Sequence, residues 1–269
     1  MTGSNPIFDV ATVIANEQLS ESLWWIELAT PQIADRARPG QFVHVSGGEQ
    51  DPLLRRPYSL SRIDAREGAV AILFHVVGRG SRWLSELRPG DPVDTLGPLG
   101  SSFAPPDGCR HLLLVGGGIG LGPLIAQAAI ETDRSCVILN GARSQAGLTP
   151  AAKLPAHAEA YYATDDGSFG AKGSVVELLP EWYQWSDAVL ACGPNPMLQA
   201  CASRIDALDP APRRVRRRPV QFALEARMAC GLGVCYSCVV TTRTGLKRVC
   251  TEGPVFGAWD LTWQWDSGI

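Results

Sequence analysis

Apolar residues change their grouping twice along the chain. From residue 7 to 103 they fall in short β-rich runs: "IFDVATVIANEQ", "LWWIELAT", "QFVHVSGG", "YSLSRID", "AVAILFHVVG" and "DPVDTLGPLG". Gly, Pro and Asp turns separate these runs, and one helical piece is expected near "GSRWLSEL". Closely spaced strands of this kind predict an antiparallel β-barrel. "FAPPDG", residues 103–108, is the natural linker to a second domain.

Past the linker, strands alternate with helical stretches. "CRHLLLVGGGIGLGPLIAQAA" reads as a buried strand, a glycine turn and a helix start, with Pro123 where a first turn tolerates it. "SCVILNGARS", "AEAYYATDDGSFGAKGSVVELL" and "DAVLACGPNPMLQACASRI" supply three further strands. This alternation predicts a parallel sheet whose ligands sit at the carboxyl ends of the strands. Gly117, Gly118, Gly120, Arg143, Asp166, Cys192 and Gly193 fall at those ends and are the candidate nucleotide-binding residues. A glycine turn opening a helix points N–H groups at an anion, commonly a dinucleotide pyrophosphate. The strict G-x-G-x-x-G fingerprint is absent, so a plain tight turn is the alternative. Arg143 suits a ribose or adenosine phosphate and equally a solvated strand end.

The tail follows neither pattern. "EARMACGLGVCYSCVV", residues 225–240, holds three of the chain's 8 cysteines within nine positions. Cys230, Cys235 and Cys238 are spaced C-x4-C-x2-C, and Cys250 follows after a gap of eleven residues. A hairpin turning at "RTG" returns residue 250 nearly opposite residue 238. Gly231 and Gly233 let the loop bring its N–H groups to the sulfurs. A [2Fe–2S] cluster, a four-cysteine zinc site and a set of disulfides are the three readings. The spacing favours the first, since structural zinc usually takes two close pairs joined by a longer loop. The last gap is much shorter than in plant-type ferredoxins, which predicts a compact appended cluster domain. Cys109, Cys136, Cys192 and Cys201 are scattered and read as small buried side chains.

Composition narrows the setting. A length of 269 residues suits two domains or three smaller ones. A net charge of −3 gives no support to nucleic acid as a partner. No apolar run approaches the roughly 20 residues that span a bilayer, and "MTGSNPIFDVATV" has no signal-peptide pattern, so no membrane is expected. A cytosolic protein keeps its thiols reduced, which disfavours disulfides. "RRVRRR", residues 213–218, reads as a solvated connector or a contact to an acidic partner surface. Trp259, Trp263 and Trp265 are expected to pack on the cluster domain, the alternative being a partner surface.

Two stretches of the barrel region carry chemistry. "RRPYSL" offers Arg56 to a phosphate, Tyr58 as a flat aromatic surface and Ser59 as a short donor or acceptor. "LFHVVGRGSRWL" ends a strand in Gly78, Gly80 and Ser81 before a helix start, a second anion-binding geometry. A barrel with R-x-Y-S and G-x-G-[ST], followed by a sheet opening with GGGIG and closing with CGP, resembles the ferredoxin–NADP reductase superfamily. "LEARMACGLGVCYSCVV…RVCTEGPVF", with "PLLRRPYSL", "GRGSRWL", "TDDGSFGAKG" and "ACGPNPML", resembles the electron-transfer subunits of NAD-linked bacterial dihydroorotate dehydrogenase. Tyr58 stands where that family often has an aliphatic residue, and Ser81 where threonine is common.

The resemblance implies that Arg56, Pro57, Tyr58 and Ser59 contact FAD. It implies that Leu73, Phe74 and His75 line the flavin, and that Gly80 and Ser81 hold its pyrophosphate. His75 would act through its backbone or its ring, the alternative being a satisfied barrel histidine. Cys230, Cys235, Cys238 and Cys250 would ligate the cluster. The expected architecture is an FAD-binding barrel (1–105), an NAD-binding α/β domain (106–212) and a C-terminal [2Fe–2S] domain (213–269). Electrons would come from an FMN-containing dihydroorotate dehydrogenase catalytic subunit, in a heterotetramer of two of each chain. They would pass through the cluster and FAD to NAD⁺, in pyrimidine (UMP) biosynthesis. One alternative is a subunit of a bifurcating ferredoxin–NADP oxidoreductase or sulfide dehydrogenase. Another, a redox-sensing regulatory protein, is disfavoured by the flavin motifs. NAD and NADP are not distinguished by these residues.

Overall fold

The six β-rich runs become β1 (Ile7–Gln18), β2 (Leu23–Ala29), β3 (Phe42–Val45), β4 (Arg56–Asp64), β5 (Ala69–His75) and β6 (Pro92–Leu99). In the computed structural model, which describes residues 6–46, 54–210 and 218–263, they close into a barrel in the order β1-β2-β5-β4-β3-β6. Every pairing is antiparallel. Alternate residues such as Ile26, Val43, Leu60, Ile72 and Phe74 fill the interior, as a period of two requires. The expected helix is α2 (Arg79–Glu86); α1 (Pro31–Arg36) is an addition to the expected elements. Six residues are too few to display a helical period, and α1 is held by burying Ile33 and Ala34 in the barrel core.

The second body is a seven-stranded sheet. Its strands are β7 (His111–Gly117), β8 (Ser135–Ala142), β9 (Glu159–Thr164), β10 (Ala171–Lys172), β11 (Ala188–Cys192) and β12 (Val220–Ala223), completed by the last strand of the chain. The helices are α3 (Leu121–Ile130), α4 (Leu179–Tyr183) and α5 (Asn195–Leu208). The cysteine segment adds a hairpin of β13 (Val239–Thr242) and β14 (Gly245–Arg248), after which β15 (Val255–Gly257) rejoins the sheet in the order β10-β9-β8-β7-β11-β12-β15.

The expected boundary between residues 212 and 213 therefore cuts through the sheet. β12 pairs parallel with β11, and β15 pairs antiparallel with β12. Both are short strands whose pairing is set by contacts distant in sequence, so no local pattern announces them. The cysteine segment is an excursion that leaves the sheet after Ala223 and returns to it at Val255.

One face of the sheet, with Leu113, Val115 and Phe222, shares its core with α5 and with Val240 and Val249 of the cysteine segment. The other face, with Leu112, Leu114 and Leu190, packs on α3 and on Trp25 and Leu73 from the outside of the barrel. Helix α3 is thus wedged between barrel and sheet, so closely that a methyl group on Gly122 would come 2.4 Å from Ser61 Oγ. Trp259 and Trp263 pack against the sheet core, with Trp263 6.0 Å from the Phe222 ring. Arg218 stacks 4.1 Å from the Tyr183 ring and donates to the Tyr183 carbonyl. The remaining arginines of the 213–218 run, and Trp265, lie outside the described residues. No helix among the described residues is long and apolar enough to cross a membrane.

Candidate functional site

Where the barrel meets the carboxyl ends of the sheet, two cavities lie side by side. The first, about 280 Å³, takes Pro57, Tyr58, Ser59 and Leu73 from the barrel and Gly120 and Cys192 from the sheet. Segment 223–228 closes it. The second, about 670 Å³, gathers His75, Gly117, Gly118 and Arg143 with Asp165 and Met197. Ile119 and Glu225 line both cavities. Volumes of this order suit flat cofactor rings and nucleotides.

Strand alternation decides which candidates face these spaces. Leu73 and His75 point out of the barrel, whereas the Phe74 ring lies in the barrel core, edge-on to Tyr58 at 6.1 Å and 75°. Phe74 therefore supports Tyr58 from behind instead of lining the cavity. Arg56 lies across the first turn of α2: a methyl group on Gly80 would come 3.2 Å from Arg56 Nε. Ser81 Oγ accepts from the amides of Val77 (2.9 Å) and Gly78 (3.1 Å) and donates to the Gly78 carbonyl, so it fixes this turn. On the sheet side, a methyl group on Gly120 would meet the Cys192 carbonyl and the Gly193 amide at 2.6 Å. Only glycine lets those two strand-end turns touch. Asp166 stands apart, on an exposed turn where it accepts from the Ser168 amide and hydroxyl at 2.9 and 2.6 Å. Its neighbour Asp165 lines the second cavity in its place.

Burial sets the charge states. It pushes the Tyr58 phenol up to about 12, outweighing Arg56. The Cys192 thiol is pushed up by burial and then by the nearby Glu225 carboxylate, so it stays protonated at neutral pH. His75 is lowered by burial, with the Ser22 carbonyl opposing; the Ser22 hydroxyl lies 3.2 Å from His75 Nδ1. Burial also raises Glu225. Glu225 opens the cysteine motif in the sequence, yet nothing local places it at the cavities; the unheralded pairing of β12 carries it to the wall between them.

The cysteine segment supplies the third part. Register pairs Val239 with Arg248, and the Val249 amide donates to the Cys238 carbonyl at 2.9 Å, so Cys238 and Cys250 meet at the open end of the hairpin. Both are buried, and burial together with the Cys238 thiol pushes Cys250 up to about 12. Cys235 is exposed and drawn down to about 6 by the Ser237 hydroxyl and amide and by Cys230. Cys230 lies beside Cys235, and Cys250 has both Cys238 and Cys230 as neighbours. Among the described residues, no three His, Cys, Asp or Glu side chains gather about a single ion. The Leu232 amide donates to Cys230 Sγ at 3.3 Å, and the Gly233 amide serves Cys250. Four neighbouring thiols with amide donors fit an iron–sulfur cluster, whose sulfurs accept N–H groups.

Residues 225–262 match the family model for the iron–sulfur cluster binding domain of dihydroorotate dehydrogenase B. Residues 10–103 match that for an oxidoreductase FAD-binding domain. The dihydroorotate dehydrogenase B (NAD(+)) electron transfer subunit of Geobacillus thermodenitrificans is 40% identical over 259 residues, covering 93% of this chain and 96% of that one. This chain belongs to that family. The electron transfer subunit of Desulforamulus reducens is 37% identical over 268 residues, 96% of this chain and 99% of its own. Among solved structures, the NADH-dependent reduced ferredoxin–NADP oxidoreductase superposes with a TM-score of 0.81 at 26% identity, over 98% of this chain and 92% of that one. The ferredoxin reductase of carbazole 1,9a-dioxygenase gives 0.69 at 26% identity, over 79% and 69%. The fold is shared with the bifurcating class, but sequence identity favours the electron transfer subunits. As a member of that family the chain is an oxidoreductase subunit with an FAD-binding and an iron–sulfur-binding part, and the zinc reading is set aside.

Proposed function

We propose that the chain passes electrons from an FMN-bearing dihydroorotate dehydrogenase catalytic subunit, through a [2Fe–2S] cluster and FAD, to NAD⁺. It works in the cytosol, in pyrimidine synthesis, within a heterotetramer of two of each subunit. The observation that carries this reading is the wall of Ile119 and Glu225 shared by the two cavities. A flavin ring in the smaller cavity and a nicotinamide in the larger one would meet there. Bound FAD exchanges electron pairs with a nicotinamide and single electrons with a cluster, which is why one chain holds all three sites.

The chain's own residues bind, orient and shield. Arg56 faces phosphate at the first turn of α2, where Gly80 leaves room and Ser81 fixes the backbone. Pro57, Tyr58, Ser59 and Leu73 hold the ring system, and Phe74 keeps Tyr58 in place. His75 borders the nucleotide side. Gly117 and Gly118 let the dinucleotide approach the backbone and Gly120 and Gly193 let the two strand-end turns touch behind it, while Arg143 meets its phosphate or ribose, with Asp165 nearer than Asp166. Cys192 contributes a neutral thiol beside the flavin cavity. Cys230, Cys235, Cys238 and Cys250 ligate the cluster. The functional divisions are a barrel to residue 105, a sheet from 106 that includes β12 and β15, and the cluster excursion between those two strands.

A visible spectrum and two assays of the purified chain test this. Flavin bands with broad cluster absorption are expected, together with electron transfer from NADH to a dye and no oxidation of dihydroorotate. A colourless protein, or dihydroorotate oxidation by this chain alone, would contradict it.

A further inference from the structure

Cys230 and Cys235 stand on an irregular loop and Cys250 on the turn after β14, and one side chain ties the two together. Arg248 ends β14, opposite Val239 and two residues before Cys250. Its carbonyl accepts from the amides of Thr251 (3.2 Å), Glu252 (2.9 Å) and Gly253 (3.3 Å), which wraps the turn around Cys250. Its side chain leaves that turn and crosses to the loop. Nη1 donates to the Gly233 carbonyl at 2.9 Å, and the guanidinium lies 5.4 Å from the Tyr236 ring. Gly233 and Tyr236 flank Cys235 in the chain. A methyl group on Gly233 would come 3.1 Å from Nη1, so arginine and loop are in close contact.

The other donors of Arg248 go to one carboxylate. Nε reaches one oxygen of Glu252 at 3.0 Å and Nη2 the other at 2.8 Å, while the Arg248 amide adds a third bond at 2.9 Å. A bidentate fork of this kind fixes where both charges stand. They stand two residues to either side of Cys250, whose side chain is buried. Charges held beside a buried group are screened less than free surface charges.

We propose that the Arg248–Glu252 pair sets the reduction potential of the bound iron–sulfur cluster, the arginine raising it and the glutamate lowering it. Such potentials follow the charge and the hydrogen bonds about the sulfurs. Reduction adds negative charge to the cluster, so a nearby cation stabilises the reduced form and a nearby anion destabilises it. Arg248 keeps its charge at every working pH and lies close enough to Cys250 for the two to interact electrostatically. It is a positioning residue as well: it holds Gly233 by the carbonyl while the Gly233 amide serves Cys250. The inference rests on the four-cysteine cluster assignment.

The test is a redox titration of the cluster, followed by electron paramagnetic resonance, in the full chain and in three variants. Arg248→Gln removes the positive charge, keeps an amide donor and should shift the potential to more negative values. Glu252→Gln leaves the arginine unneutralised and should shift it to more positive values. The double variant should fall between the two single ones, with FAD content at the parent level throughout. A merely loosened loop would move both single variants in the same direction. Shifts of one sign, or unchanged potentials in fully loaded proteins, would therefore overturn the proposal. Where Arg248→Gln does not retain iron, Glu252→Gln decides alone: a positive shift supports the proposal, and a negative one or none overturns it. Iron loss from both single variants would reduce the pair to a clamp and overturn it too. Iron and sulfide analysis of the parent chain separates these outcomes from failure of the cluster assignment, since a parent without iron removes that assignment itself.

Discussion

The flavin junction and the cysteine loop are built in opposite ways. At the junction the barrel candidates ride on paired strands: Pro57, Tyr58 and Ser59 on β4, held against β3, and Leu73 and His75 on β5, held against β2. The backbone there is fixed before any cofactor arrives. From Ala229 to Cys238 the loop has no strand and no helix. It turns through positive φ at Gly231, Gly233 and also Tyr236, where a non-glycine residue costs on the order of 1–3 kcal/mol. Its clamps are few. Arg248 donates to the Gly233 carbonyl at 2.9 Å, pairs with Glu252 at 2.8 Å and lies 5.4 Å from the Tyr236 ring. The junction makes its site by strand pairing, whereas the loop is held by a few side-chain clamps.

That contrast is sharpest when a ligand is removed from one side. Cys235→Ser should abolish or cripple the cluster while FAD stays bound, because the two groups depend on different backbones. Iron, sulfide and flavin content of the purified variant read this directly. Unchanged iron in all four single cysteine variants would break the assignment.

The converse change should spare the loop. Arg56→Ala removes a charge-assisted phosphate contact and should weaken FAD binding by ~1.5–3 kcal/mol, roughly tenfold to a hundredfold, with iron content unchanged. Ser59→Ala should retain FAD but alter the flavin spectrum and slow NADH-to-dye transfer, since its side chain faces the ring cavity. Normal FAD content in the first variant together with normal transfer in the second would reject the site.

The smallest effect concerns the clamp. Hydrogen bonds from Arg248 hold the Glu252 carboxyl down to about 2, below its ordinary value of 4.5. A carboxyl depressed on folding adds stability above its unfolded pKa, and loses it as pH falls from about 4.5 towards 2. Both side chains are about one-third exposed, 31% and 33%, so screening keeps the contribution near ~1 kcal/mol or below. Glu252→Gln should therefore lower the thermal midpoint by ~2–4 °C at pH 7. The gap from the parent should narrow as pH approaches 3. An equal gap at both pH values would contradict the linkage.

The six barrel strands, the alternating sheet and the cysteine hairpin are legible because each is a local pattern: β-rich runs between turns, a buried strand into a glycine turn, C-x4-C-x2-C. What escapes is non-local. β12 and β15 are recognisable only once β11 offers them an edge, and the domain boundary at 212 and the place of Glu225 are hidden with them. Phe74 groups with Leu73 and His75 in the sequence, although strand alternation turns it inward. Ser81 has the motif position of a pyrophosphate ligand, whereas its hydroxyl is spent on its own turn.

If this chain is the electron-transfer half of a two-chain enzyme, electrons must cross its cluster to reach NAD⁺. The most direct measurement is dihydroorotate-dependent NAD⁺ reduction in the complex with the dihydroorotate dehydrogenase catalytic subunit, assembled with either the parent chain or Cys235→Ser. Activity is expected with the parent chain and a sharp fall with the variant, while NADH-to-dye transfer by the variant persists. Full activity of the complex without its cluster would contradict it.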